Sequence, residues 1–208
     1  MVKPSKLSIL QPAGVRTRRA YFECQYGQLH VRTAFPATGG FDEQVTLFCL
    51  HASEDSSRAF ARFLPEVADE RSVYAPDLPG FGESDPASAA SAADAARAVS
   101  DLASELRLRQ IDLLGVGFGA AVALELAAKR PDLVRRLVLL RIPRTDRLPV
   151  VKQRSLILKL QMGASDEAQP GQGVLPNARF LELTDYASDL FDAAPKTLAK
   201  EISAFLKG

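Results

Sequence analysis

The stretch Leu113-Leu114-Gly115-Val116-Gly117-Phe118-Gly119-Ala120-Ala121-Val122 decides how the chain is read. An apolar run, Ile111 to Val116, has the length and content of a strand buried on both faces. From Phe118 the sequence turns helical and stays so until Pro131, which cannot continue a helix. Three glycines at alternate positions hold the strand-to-helix turn between them. Such a turn presents either one side chain at its apex or bare backbone amides. Here the apex residue, Gly117, has no side chain.

Working outward, the pattern repeats. Val45–His51 is a short apolar strand, and residues 56–70 follow it as a helix. Residues 72–80 give the next strand and its exit turn. An Ala/Ser-rich segment, 85–94, then feeds an amphipathic helix ending near Arg109. Upstream, residues 20–35 are two β-rich runs about Tyr26-Gly27-Gln28, a hairpin. Downstream come strands at 133–142, 154–162 and 179–184, and a closing helix that starts at Pro195. Strands alternating with helices after a hairpin predict an α/β fold, a mostly parallel twisted sheet of about eight strands with helices on both faces. Residues 20–208 form its single domain, preceded by a basic N-terminal arm, 1–19, that holds Lys3, Lys6, Arg16, Arg18 and Arg19.

Composition narrows the function classes. With 26 basic and 25 acidic residues the net charge is +1, so no broad field for nucleic acid or a membrane surface is expected. No apolar run reaches the ~20 residues that span a bilayer. Two cysteines, Cys24 and Cys49, do not make a disulfide framework and point to a reducing, cytoplasmic compartment. No metal site and no cofactor is expected.

Four stretches, in order, carry a resemblance: residues 47–60 around His51, the run Asp77-Leu78-Pro79-Gly80-Phe81-Gly82-Glu83-Ser84, the glycine turn, and residues 188–206 leading into the last helix. Together they resemble the α/β-hydrolase superfamily, in the branch of esterases, haloalkane dehalogenases and proline iminopeptidases. The resemblance implies a nucleophile at the centre of Gly-x-Ser-x-Gly, a histidine base before the last helix, an acid that orients it, and two oxyanion amides. The nucleophile position is Gly117, and the base position is Ser188, which cannot take a proton near neutral pH. The acid position, in Gly163-Ala164-Ser165-Asp166, keeps Asp166. The oxyanion amides are those of Phe118 and Ala52, with His51 beside them in a structural role; relatives usually have glycine where Ala52 stands. An anion or small molecule could still settle near Phe118, at a helix N-terminus.

Other residues have plainer readings. His30 is a strand residue, Ser84 braces its turn, Ser53, Ser56 and Ser57 cap a helix, and buried Cys49 is inert. Between the sixth and seventh strands lie residues 142–154, too few for the cap that relatives insert there, and the next crossover is also poor in helix signals. The seventh strand alternates Ser155, Ile157, Lys159 and Gln161 against Leu156, Leu158, Leu160 and Met162. That predicts a thinly covered sheet face around Lys159, wet or used by a second copy or another protein.

Three functions follow. The first is a non-catalytic binding or scaffold protein on a hydrolase fold. The second is a hydrolase or lyase working with His51, Asp166 and the oxyanion amides. The third is an NADP-type dinucleotide binder, because Gly115-Val116-Gly117-Phe118-Gly119-Ala120 fits G-x-G-x-x-A and Arg141 could meet a 2′-phosphate.

Overall fold

The computed structural model describes residues 14–37, 44–86, 91–143, 148–160, 174–183 and 190–208. The chain opens with an antiparallel hairpin, β1 (Arg16–Cys24) and β2 (Gly27–Phe35). Its turn residues are Gln25 and Tyr26, one position earlier than expected, and Gly27 at φ 103° pairs with Cys24 as the first residue of β2. Because β1 begins at Arg16, the last four residues of the expected arm belong to the sheet.

The parallel part follows: β3 (Thr46–Leu50), β4 (Val73–Pro76), β5 (Ile111–Val116), β6 (Val134–Leu140), β7 (Arg154–Leu160) and β8 (Ala178–Leu183). The order across the sheet is β1-β2-β4-β3-β5-β6-β7-β8, with β2 antiparallel to β4 and every later pairing parallel. β3 and β5 are buried along their whole length. Alternate residues serve opposite faces. Phe48, Leu50, Leu113 and Leu137 pack with α2 (Ala92–Glu105) and α3 (Phe118–Lys129). Leu47, Cys49, Leu114 and Val138 pack with α1 (Phe63–Val67), α4 (Leu190–Ala193) and α5 (Pro195–Lys207). Two cores on one sheet bury far more apolar surface than either helix layer could alone. Among the described residues no helix is long and apolar enough to cross a membrane.

Three elements depart from expectation. The single helix over 56–70 is a 3-10 turn, Ser57–Phe60, and the five-residue α1. Pro65 has no amide to give a preceding carbonyl, so it fits only a first helical turn, and the Ser57 N–H is drawn to the Asp77 carboxylate instead. Helix α2 stops at Glu105 rather than near Arg109. Arg107, at φ 55°, ends it in a Schellman motif: Leu108 N–H donates to Ala103 O and Arg107 N–H to Ser104 O. Finally, the cover over β7 reaches further than its alternation predicts. Ser155 and Ile157 are buried, and Ile157 joins a core that includes Val151 and Leu175 from the flanking crossovers. The face opens only farther out, where Lys159 Nζ stands 4.4 Å from the ring centre of half-exposed Phe180.

Candidate functional site

The turn between β5 and α3 lies where the parallel strands end. Gly117 forms its apex with φ 54° and ψ −117°. An L-residue adopts that conformation only at a cost of about 1–3 kcal/mol, and glycine adopts it freely. Gly119 answers a different need. A Cβ there would stand 2.1 Å from the Leu50 carbonyl oxygen, so its absence lets α3 close on β3. The Gly119 N–H completes that contact by donating to His51 O at 3.0 Å.

The structure brings four of the sequence-predicted residues together: His51, Ala52, Gly117 and Phe118. A Cβ added at Gly117 would lie 3.2 Å from Ala52 Cβ, tighter than ordinary contact. Phe118 is the first residue of α3, so the helix itself supplies no acceptor for its amide. Phe81 packs between the His51 ring at 5.4 Å and the Phe118 ring at 5.7 Å, which ties the Asp77–Ser84 loop to the elbow. The other two positions, Asp166 and Ser188, lie outside the described residues.

His51 is fully buried, and both ring nitrogens are engaged. Nδ1 donates to its neighbour's carbonyl, Ala52 O, at 2.7 Å, and Nε2 accepts the Leu78 N–H at 2.9 Å. Burial pulls the imidazole below its ordinary value, against the Ala52 hydrogen bond and the charges of Asp77, Asp55 and Glu54. A ring fixed as acceptor at Nε2 and donor at Nδ1 has no lone pair to offer a nucleophile.

A cluster that sequence reasoning passed over lies just behind. Asp77 Oδ1 accepts the Ser57 N–H at 2.6 Å, and Oδ2 accepts the Glu83 N–H at 2.8 Å and faces His30 Nδ1 at 2.9 Å. Burial works to raise this carboxyl, but the Glu83, Ser57 and His30 hydrogen bonds outweigh it and hold it below the ordinary carboxylate value. His30 is therefore a buried partner of the signature aspartate rather than a mere strand residue. Its contact was hidden in the sequence by the 47 positions that separate the two. Ser84 does brace the turn, donating to Asp77 O at 2.6 Å and accepting the His30 N–H at 2.9 Å. Ser56 caps the 3-10 turn.

Beside Gly117 a cavity of about 310 Å³ opens between Ala52, Val116, Leu140, Arg141, Phe191 and Asp192. Its lining is mixed, with Phe60 and Leu190 among the apolar residues and Glu54 and Asp55 among the charged ones. Arg141, which the dinucleotide reading placed at a 2′-phosphate, has φ 52° and turns the chain away from the end of β6. Among the described residues no group of His, Cys, Asp and Glu could hold a metal ion.

Comparison with known proteins now bears on this geometry. Residues 45–181 match the family model described as alpha/beta hydrolase fold. The 2-hydroxymuconate semialdehyde hydrolase of Pseudomonas sp. (strain CF600) is 42% identical over 100 residues, 45% of this chain and 35% of that protein. A haloalkane dehalogenase of Bradyrhizobium diazoefficiens is 37% identical over 105 residues, 50% of this chain and 34% of that one. The chain thus aligns with about a third of the length of these curated relatives. Among solved structures, Cfl2 from Burkholderia cenocepacia superposes with a TM-score of 0.79 at 18% identity, covering 93% of this chain and 96% of that one. A haloalkane dehalogenase loop variant from Bradyrhizobium elkanii gives 0.74 at 16%, covering 93% and 97%. At these identities the likeness is one of fold. The family match spans well over half of the chain, and with the elbow, the signature loop and the sheet order in agreement, the chain belongs to the α/β-hydrolase fold family.

Proposed function

We propose that this chain is a non-catalytic member of its family, a pseudo-hydrolase that keeps the elbow for folding and uses the neighbouring cavity to bind a small molecule. The observation that carries the reading is Gly117: the elbow backbone is intact, and no atom stands at its apex to attack a carbonyl. Ala52 supports it, because its methyl group takes up part of the space that a nucleophile's Cβ would need. His51 supports it too, since the imidazole nearest the turn is locked in structural hydrogen bonds. By sequence the base position is Ser188, so Asp166 has no ring to orient. A cavity of about 310 Å³ is at the small end of ligand sites. With its mixed apolar and charged lining it suits a compact organic molecule bearing a polar group, or an anion near the Phe118 amide. The same reading includes the absence of a cap, a cytoplasmic setting, and a second copy of the chain meeting the open face at Lys159 and Phe180.

The test combines a panel of simple esters with a serine-directed fluorophosphonate probe, using an active relative as control. Neither turnover above buffer nor labelling is expected at any pH. Gly117→Ser restores a hydroxyl but not a base. It should remain inactive while losing about 1–3 kcal/mol of stability to backbone strain and the Ala52 contact. Enzyme-like turnover by the unaltered chain that disappears on changing His51 or Ser84 would overturn the reading.

A further inference from the structure

Most of the arginines packed against the sheet have an acceptor close by. Arg135 and Arg71 share the buried Asp112 carboxylate, and Arg136 donates to Phe205 O at 2.8 Å. Arg32, in β2, is different. Its side chain makes no hydrogen bond and no ion pair with any described residue. The residue is partly buried, on the face of the hairpin that α1 covers. Nε is shut away from water without a partner, whereas Nη1 and Nη2, equally unbonded, keep accessible surface. Taking water from part of a guanidinium without supplying an acceptor is costly.

The register of the hairpin adds a second cost. Arg19 of β1 is the direct partner of Arg32, so both side chains leave the sheet on the same face, side by side. Like charges placed directly opposite each other repel. Glu83 comes near, but it stands 3.8 Å from Arg19 Nη1, both groups are well exposed, and it also accepts the Tyr21 hydroxyl. Next to the two arginines lies a cavity of about 310 Å³, with Thr17 on the β1 side and Ala61 and Leu64 on the α1 side. No described carboxylate lines it.

We propose that this cavity binds the phosphate group of a small phosphomonoester. The phosphate oxygens accept from the accessible Nη1 and Nη2 of Arg32 and from the Arg19 guanidinium opposite, and Thr17 adds a hydroxyl. A dianion between the two forks turns their repulsion into attraction, and planar guanidinium donors suit phosphate oxygens. The volume leaves room beyond the phosphate for a compact organic group, which lies against Ala61 and Leu64. The site shares no lining residue with the cavity at the elbow, so it goes beyond the function proposed above and is tested independently of it.

The test is isothermal titration of the full chain with phenyl phosphate, and in parallel with inorganic phosphate, at constant ionic strength in chloride. One-to-one saturable binding of phenyl phosphate is expected, with inorganic phosphate weaker. Arg32→Met keeps the apolar stem and removes the charge. It should abolish binding while the melting temperature without ligand stays level or rises, because the repulsion with Arg19 goes too; an arginine kept only for structure would lower it. Arg19→Gln, at an exposed side chain, should weaken binding about tenfold. Arg16→Gln removes the same charge from the opposite face of β1 and should leave the affinity unchanged. If Arg32→Met does not fold, the comparison of Arg19→Gln with Arg16→Gln decides. The proposal fails if phenyl phosphate gives no saturable heat, if inorganic phosphate binds equally well, if folded Arg32→Met or Arg19→Gln binds as tightly as the unaltered chain, or if Arg16→Gln weakens binding as much as Arg19→Gln.

Discussion

The His51 imidazole shows how a residue in a reactive neighbourhood can be withdrawn from reaction. Its two nitrogens join the end of β3 to the loop after β4, accepting from Leu78 N–H and donating to Ala52 O. Protonating Nε2 would take away the acceptor that the buried Leu78 N–H uses, so the ring is held neutral and in one tautomer. This has a pH consequence. The folded-state value is lowered from 6.5 by burial, so below 6.5 the unfolded chain takes up a proton that the folded chain refuses. Stability from this group is complete above that value and is lost as the pH falls through the window beneath it. In urea titrations, the stability gap between the unaltered chain and His51→Gln should therefore be widest near about pH 7.5 and narrow towards about pH 5. A gap that is constant with pH would mean that folding leaves the affinity of His51 for its proton unchanged.

At the scale of elements, the end of α5 is fastened by arginines projecting from the sheet. Arg135 donates to Leu206 O, Arg136 to Phe205 O and Arg154 to Gly208 O, each at 2.8–2.9 Å, so carbonyls that the helix leaves open are met by cations. Asp112 is the counter-ion that makes this affordable. Asp112→Leu leaves buried guanidinium groups without a carboxylate and should cost about 3–5 kcal/mol in chemical denaturation, whereas Arg154→Met removes an exposed bond worth less than about 1 kcal/mol. None of this could be read from the sequence, since Asp112, Arg135 and Arg71 are united only by strand pairing. What could be read was local. β3, β5 and β6 announce themselves as apolar runs, α3 as a helix stopped by a proline, and the elbow as glycines at fixed spacing. The broken helix at 57–67 and the Arg107 turn depend on where Asp77 and the Ala103 carbonyl stand in space. The cover over Ile157 comes from crossover residues whose sequence carries no helix or strand signal.

Across the whole molecule the sheet order sets a gradient of stability. β3 and β5 are flanked on both sides and buried throughout, so their amides exchange only when the molecule as a whole opens. β8 is the last strand of the sheet, and five of its six residues, Ala178 to Glu182, are at least partly exposed, with Phe180 49% exposed. β1, at the other edge, is likewise exposed along most of its length. Hydrogen exchange read by mass spectrometry should therefore find peptides from β3, β5 and β6 slowest and those from β1 and β8 fastest, at low protein concentration. The two edges should then part company as concentration rises. An edge strand offers a row of free backbone donors and acceptors to any chain that can pair with it; each edge also carries an exposed aromatic ring, but Tyr21 of β1 packs beside His30 and bonds to Glu83, whereas Phe180 of β8 lies under Lys159. If a second copy meets that face, protection should grow in β7 and β8 with concentration while β1 is unchanged. Protection that stays low and equal at both edges up to millimolar chain would remove the second copy from the picture and leave Phe180 in water.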